Sequence, residues 1–481
     1  MNTKYLVSAA FLASLATLTA CSLFPKQGSK SNGAMDVYAA AAQNSANAIG
    51  SLEGVPGHYS KIDFPEYKYV APYPKDFRVE IADGITGYIV SDSTLPLVDF
   101  TVYFAENNLP QVLKDKAAFE MVGSMIRRGA GGGITPHALE DSLEFVSASI
   151  STSVGTYLSA FDKTQLEIVK ANFVTAYERR YETPAKVLSA LKSKVNYAPN
   201  PRLWDANAAE YKAVTAADVK RLAKGVFSSK RIVFALAGDV NRDSAVTMLK
   251  RFFADWNVAL PKTEKPKPEK LTFARKPGVY VVDKDITQAN ITMNQPFVMR
   301  PHPDYYPTAV ASFILGGGSF SSRLMNRVRS DEGLAYSVYS TVGNDYRDTA
   351  MTTIALQTKV ETVDFALKLI FEEVEKLAKD GPSVEELEQA KKSLVESLPS
   401  LFDSPSSTAS IFAKGELLGK SDYHYLDYVK KITAVTAEQV KEMIAKYFDR
   451  NKMTISIVGP VSMFESLKPF TVIPLDSLEF R

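Results

Sequence analysis

Arg329 and Tyr336 stand seven residues apart in a segment that starts at Gly316-Gly317-Gly318-Ser319-Phe320 and runs through Ser321-Ser322-Arg323-Leu324 to Gly333-Leu334-Ala335-Tyr336-Ser337. A guanidinium is a planar fork of donors, and a phenol is a single donor and acceptor. Taken singly, an arginine closing a helix is a surface charge favoured by the dipole, and a tyrosine on a strand is a half-buried packing residue. The glycine triplet does not read as a phosphate cradle, because no Gly-Lys-Ser/Thr follows and the dinucleotide spacing is missing. It reads as a tight bend ahead of a helix.

Metal chemistry has little to work with. The four histidines are His58, His137, His302 and His424, and no two lie close in sequence. His137-Ala138-Leu139-Glu140-Asp141 superficially has ligand spacing, but it opens a helix behind Thr135-Pro136, where acids suit the dipole of an exposed first turn. Cys21 is the only cysteine, so neither an internal disulfide nor a cysteine-based zinc site is available. Nothing marks a Ser-His-Asp or Cys-His nucleophile.

The elements that must position these residues come in two copies. Tyr211-Lys212-Ala213-Val214-Thr215-Ala216, ending in Phe234-Ala235-Leu236-Ala237-Gly238-Asp239-Val240, recurs as Ile432-Thr433-Ala434-Val435-Thr436-Ala437, ending in Ile455-Ser456-Ile457-Val458-Gly459-Pro460-Val461. Val214 is as far from Val435 as Val240 is from Val461. Each copy reads as a capped helix followed by an apolar strand. Gly87–Val90 and Gly278–Val282 correspond more loosely, as do Ser153–Tyr157 and Thr341–Tyr346. A strand is expected over Leu97–Phe104, helices over Lys114–Arg128, Thr164–Glu182, onward through Lys192 and over Ala216–Gly225, and a strand over Ser149–Val154. A helix over Ser321–Ser330 ends near Arg329, and a strand over Leu334–Ser340 carries Tyr336. Strands and helices in this order imply an α+β fold of two layered halves. At 481 residues the chain exceeds the roughly 250–300 at which single cores stop growing. The expected divisions are 1–21, 22–65 as a flexible tether, 66–260, a Pro/Lys/Glu linker at 261–270, and 271–481.

The order of glycine bend, arginine-bearing helix and tyrosine-bearing strand resembles the substrate-binding half of the insulinase (pitrilysin) family of zinc metallopeptidases. The resemblance covers about Val70 to Phe470, specific in the second half and topological in the first. It implies two sandwich halves closing like a clamshell around a chamber. It also implies that Arg329 and Tyr336 hydrogen-bond the substrate backbone near the scissile carbonyl, where donors meet developing oxyanion charge, and that Gly316, Gly317 and Gly318 form a loop that contacts substrate. The family's zinc motif, H-x-x-E-H on a helix, falls on Phe119-Glu120-Met121-Val122-Gly123 in the register of the repeat. Phe119 and Gly123 replace the histidines and Val122 the base. Near the place of the downstream glutamate ligand stand Val174-Thr175-Ala176, with Glu167 and Glu178 read as a solvated helix face.

Some bacterial members of the family come as pairs, one subunit with the zinc motif and the other with the Arg/Tyr pair; this sequence resembles the second kind. The expectation is a non-catalytic, substrate-binding subunit with no cofactor of its own, its partner supplying zinc and the general base. The alternatives are a scaffold or peptide-binding lipoprotein with no proteolytic role, and an autonomous zinc peptidase with unrecognised ligands. At the N-terminus, Lys4 and the apolar run Tyr5–Leu18 suit a secretory signal, too short to span a membrane. Leu18-Thr19-Ala20-Cys21 resembles a bacterial lipobox with Cys21 as the lipidated residue. With Ser22 behind it, the expected location is the outer membrane facing the periplasm in a Gram-negative source. A net charge of +2 makes no electrostatic case for nucleic acid.

Overall fold

The computed structural model describes residues 69–105, 109–110, 112–129, 135–149, 163–259, 269–274 and 276–481. The signal, Cys21, the tether with His58, the linker at 261–268, Gly131-Gly132-Gly133 and residues 150–154 of the expected strand lie outside them. Among the described residues no helix is long and apolar enough to cross a membrane.

Two mixed sheets organise the chain. The first contains β1 (Arg78–Ala82), β2 (Ile85–Ser91), β3 (Val98–Phe104) and β4 (Ile232–Gly238), in the order β1-β2-β4-β3. The second contains β5 (Gly278–Asp283), β6 (Gln288–Phe297), β7 (Ala335–Val342), β8 (Ala350–Lys359), β9 (Thr454–Gly459) and β10 (Phe470–Val472), in the order β10-β5-β9-β6-β8-β7. β4 runs parallel to β2 and antiparallel to β3, and β9 has the same relations to β5 and β6. The repeat in the sequence is thus a repeat of strand pairing. Thr215 caps the helix Ala216–Phe227 and Thr436 caps Ala437–Tyr447, each in a reciprocal capping box that satisfies two otherwise orphaned amides.

β9 is buried along its whole length, and β4 at every residue but Gly238, because both faces of each sheet are covered. On one face of the first sheet, Ile232 and Phe234 pack with Leu249 and Phe253 of the helix Arg242–Ala259. On the equivalent face of the second, Ile457 and Ile354 pack with Val310, Ile370 and Ile444. Each fully buried side chain of this size contributes about 1.5–3 kcal/mol.

The other faces are covered by exchange. The helices used repeatedly from here are α1 (Lys116–Gly129), α2 (Pro184–Asn196) and α3 (Pro405–Leu417). α2 belongs to the first half in sequence, yet buries Val187, Leu191 and Val195 against Val282, Val458 and Leu478 of the second. α3 belongs to the second half and buries Ala409, Phe412 and Ala413 against Tyr88, Val233, Ala235 and Ala237 of the first. Both start at a proline behind a hydroxyl N-cap, Thr183 and Ser404. Pro184 and Pro405 stand as far apart as Val214 and Val435. The exchange is therefore part of the repeat, and it ties the two halves together.

Candidate functional site

The helix Tyr305–Ser312 widens into a π-helical turn at Phe313–Gly317 that presses on the last strand of the second sheet. A Cβ on Gly316 would lie 2.5 Å from the Ser340 amide nitrogen and 2.9 Å from the Ser340 Cβ, so only glycine permits the approach. Ser312 Oγ and Ser340 Oγ share a hydrogen bond of 2.7 Å beside it. Gly318 faces the Phe313 ring, which a Cβ there would meet at 2.9 Å, and Gly317 is exposed. Packing accounts for Gly316 and Gly318 without a ligand.

The arginine-bearing helix differs in winding from the sequence expectation. A single 3-10 turn, Ser319–Ser321, precedes it, and Met325–Asp331 is π-helical rather than α-helical. Its anchors are Leu324 and Val328, both fully buried. Such widened turns occur frequently at functional sites because they reset which residues share a face. The side chain of Arg329, half-buried, places its guanidinium carbon 4.9 Å from the centre of the Phe320 ring, and Phe320 is 67% exposed. The helix stops because Gly333 takes φ +64°, its amide bonding the Arg329 carbonyl at 3.0 Å. The chain then enters β7. Ala335 pairs with Thr358 and Ser337 with Gln357, so Tyr336 is the extra residue of a β-bulge at the start of that strand. Bulges are over-represented next to active sites. Arg323, by contrast, is structural: it forks onto Glu386 at 2.7 and 2.8 Å and reaches the Gly381 carbonyl at 3.1 Å.

The positions where the metal motif would fall lie on α1, and they are core. Val122 is 1% exposed and packs with Met121, Met125, Leu166, Val169 and Val219. Phe119 is 5% exposed against Val226 and Phe227. Gly123 is buried in the same helix. The one acid in the stretch, Glu120, is engaged by Lys116 at 3.1 Å and by the Tyr211 hydroxyl. No lone pair at these positions fits a zinc ion, so no step of a reaction can be routed through a metal there. The helix expected to 182 ends at Glu178, and along it Glu167 and Glu178 are exposed, Glu167 paired with Lys170. Thr135 caps its helix as expected, and His137 Nδ1 lies 2.8 Å from Asp141 Oδ2 in the exposed first turns. Among the described residues no group of three His, Cys, Asp or Glu side chains is placed to hold a metal.

A second polar constellation, absent from the sequence reading, lies where α3 meets the first sheet. Glu416 accepts from Arg78 Nε at 3.0 Å, Arg78 Nη2 at 3.2 Å, Thr86 Oγ1 at 2.6 Å and Tyr88 Oη at 2.7 Å. Burial alone would raise its pKa, but these donors outweigh burial and hold the carboxyl below its ordinary range. Nearby, Arg300 is 3% exposed, lies 3.7 Å over Tyr305 and 4.9 Å from Tyr346, and donates to Asn344 Oδ1 at 2.7 Å. His424, touching Tyr346 at 3.3 Å, has its pKa pushed down to about 3 by burial, then by the positive charges of Lys420, Arg300 and Lys431. The density of tyrosines at 305, 306, 346, 423, 425 and 428 was the available signal. The arginine they surround was not recognisable from spacing.

Known proteins resemble this chain in sequence and in fold. Residues 213–394, which include the Arg329–Tyr336 segment, match the family model described as Peptidase M16 inactive domain; M16 is the insulinase family. The chain is 28% identical over 309 residues to a Bacillus subtilis protein named an uncharacterized zinc protease, covering 63% of this chain and 72% of that one. It is also 28% identical over 306 residues to a Helicobacter pylori protein named a non-peptidase homolog, covering 62% and 68%. In fold it is similar to the crystal structure of a peptidase M16 inactive domain from Pseudomonas fluorescens, with a TM-score of 0.67 and 23% identity over 80% of this chain and 97% of that one. The two curated relatives carry opposite descriptions of activity, so the choice falls to the residues themselves.

Proposed function

We propose that this chain is the non-catalytic, substrate-binding subunit of a two-subunit zinc metallopeptidase of the insulinase family. A homologous partner supplies the zinc and the general base, and Arg329 and Tyr336 bind the peptide backbone inside a chamber closed by the halves. The observation that carries this reading is the contrast between α1, where Phe119, Val122 and Gly123 are buried core, and the second half, where the Arg329–Tyr336 phrase stands intact beside an exposed ring. A guanidinium and a phenol can stabilise a carbonyl oxygen as it gains charge without any metal of their own. The test is peptide hydrolysis by this chain, by a homologue from the same source that carries H-x-x-E-H, and by the two together. Activity of the mixture well above either part supports the reading. Activity of this chain alone would assign it an unrecognised metal site, and no gain on mixing would favour a scaffold.

The same proposal places the protein on a membrane surface through lipid on Cys21, facing the periplasm if the source is Gram-negative. It rests on the lipobox-like Leu18-Thr19-Ala20-Cys21 behind a short apolar run. Cys21→Ala should abolish lipid labelling and membrane fractionation, and retained attachment would reassign the anchor.

A further inference from the structure

At the seam where α3 lies on β1 and β2, the two halves line a half-open cavity of about 330 Å³. Its charges are paired with one exception. Arg78 and Glu416 neutralise each other at 3.0 Å, and Lys75 meets Asp422 at 3.3 Å. Lys420 remains. Its ammonium lies 5.3 Å from the centre of the Tyr346 ring and 5.5 Å from that of Tyr425, and among the described residues it has no carboxylate partner. Behind it sits Arg300, buried among tyrosines and likewise without a carboxylate among the described residues. The remaining wall is mixed: Ile411, Phe412 and the Tyr425 ring give it an apolar side, Ser421 and His424 a polar one, and Gly415 leaves it space, with nothing but the Lys420 stem within 4 Å of where a Cβ would point.

An excess of positive charge against an aromatic wall, in a space large enough for a small molecule, selects for an anion with an apolar body. We propose that this cavity binds an organic carboxylate bearing an aromatic or aliphatic group, with the carboxylate on Lys420 and the body against Phe412, Ile411 and Tyr425. Glu416 does not compete for Lys420, because its two oxygens are already taken by Arg78, Thr86 and Tyr88. Tyr88 and Arg78 come from the first half and Lys420 from the second, so an occupant would also bridge the exchanged helix to the sheet it covers. This site is independent of Arg329 and Tyr336 and stands or falls without them.

The experiment is calorimetric titration of the full chain with 3-phenylpropionate and with its neutral amide. The acid should bind at least about tenfold tighter than the amide, the scale of a charge-assisted contact. Lys420→Met, which keeps the aliphatic stem, should erase that preference. Gly415→Leu, which fills the cavity from the helix, should abolish binding of both while the unfolding midpoint is held. A second arm compares Ala-Ala-Ala-Phe with a free and an amidated C-terminus. Binding of the free-ended peptide as tight as the acid identifies a peptide C-terminus as the occupant, and binding of the acid alone identifies a small free acid. Equal affinity for acid and amide, no binding of either, or an undiminished preference in Lys420→Met would overturn the proposal.

Discussion

α1 in the first half and the Arg329–Tyr336 segment in the second have been treated oppositely by the fold. α1 is regular, and the positions of interest are closed over by Met121, Met125 and Phe227. The second segment is irregular: a π-helical turn, a left-handed glycine, a bulge and a ring left 67% exposed. Irregular backbone and exposed aromatic surface cost stability and persist where surrounding structure and use maintain them. A position with no such use is free to become core. On the proposed function, the difference separates positions that have become core from a segment still available to a substrate.

The largest loss of stability is expected at α1. Restoring the motif as Phe119→His, Val122→Glu and Gly123→His should remove a buried ring, worth about 3–5 kcal/mol, and bury a carboxylate among methionines and valines. Denaturant unfolding should show a loss large enough to unfold the first half. A folded triple variant holding one zinc per chain would show that α1 is a dormant metal site rather than core.

Next in size is the seam. Glu416→Ala leaves Arg78 and two hydroxyls unpaired where α3 crosses into the first half, and should cost about 1–3 kcal/mol. Because the Glu416 carboxyl is held below its unfolded value, its contribution is present above about pH 4.5 and is lost as pH falls through the lower folded value. His424 adds an earlier acid sensitivity. Its imidazole stays neutral in the fold down to about 3 while the unfolded chain takes up its proton near 6.5, so stability declines across that interval. His424→Phe should flatten the pH dependence of the unfolding midpoint between about 6.5 and 3. An unchanged slope would mean that the ring is accessible and protonates.

The smallest expected effect is at Phe320. An exposed ring under a guanidinium contributes about 0.5–1 kcal/mol, so Phe320→Ala should lower the turnover of the reconstituted pair by only about two- to fivefold. An effect as large as that of removing Arg329 would make Phe320 a principal binding residue.

What could be read beforehand follows from the range of the interactions. Thr135, Thr215 and Thr436 were legible as caps because a cap is settled within four residues. β3 was legible because alternation in Val98–Phe104 is local. The exchange of α2 and α3 was not read, although Thr183-Pro184 and Ser404-Pro405 obey the same repeat. Which sheet a helix covers is settled by contacts across the chain, such as Leu191 on Val458. The π-helical winding at Arg329 and the bulge at Tyr336 were likewise hidden, since both arise from packing of the helix and β7 on elements distant in sequence. Glu416 carries no local mark either: its partners Arg78, Thr86 and Tyr88 lie in the other half.

On the proposed function, Arg329 and Tyr336 serve a reaction whose metal lies in another chain. This role is tested most directly by Tyr336→Phe in the reconstituted pair, since this change removes one hydroxyl and nothing else. Turnover should fall by roughly 10²–10³-fold, the scale of a lost oxyanion donor, with association of the two chains unchanged, and Arg329→Ala should fall at least as far. Full turnover in both variants would contradict the account and leave the chain a scaffold.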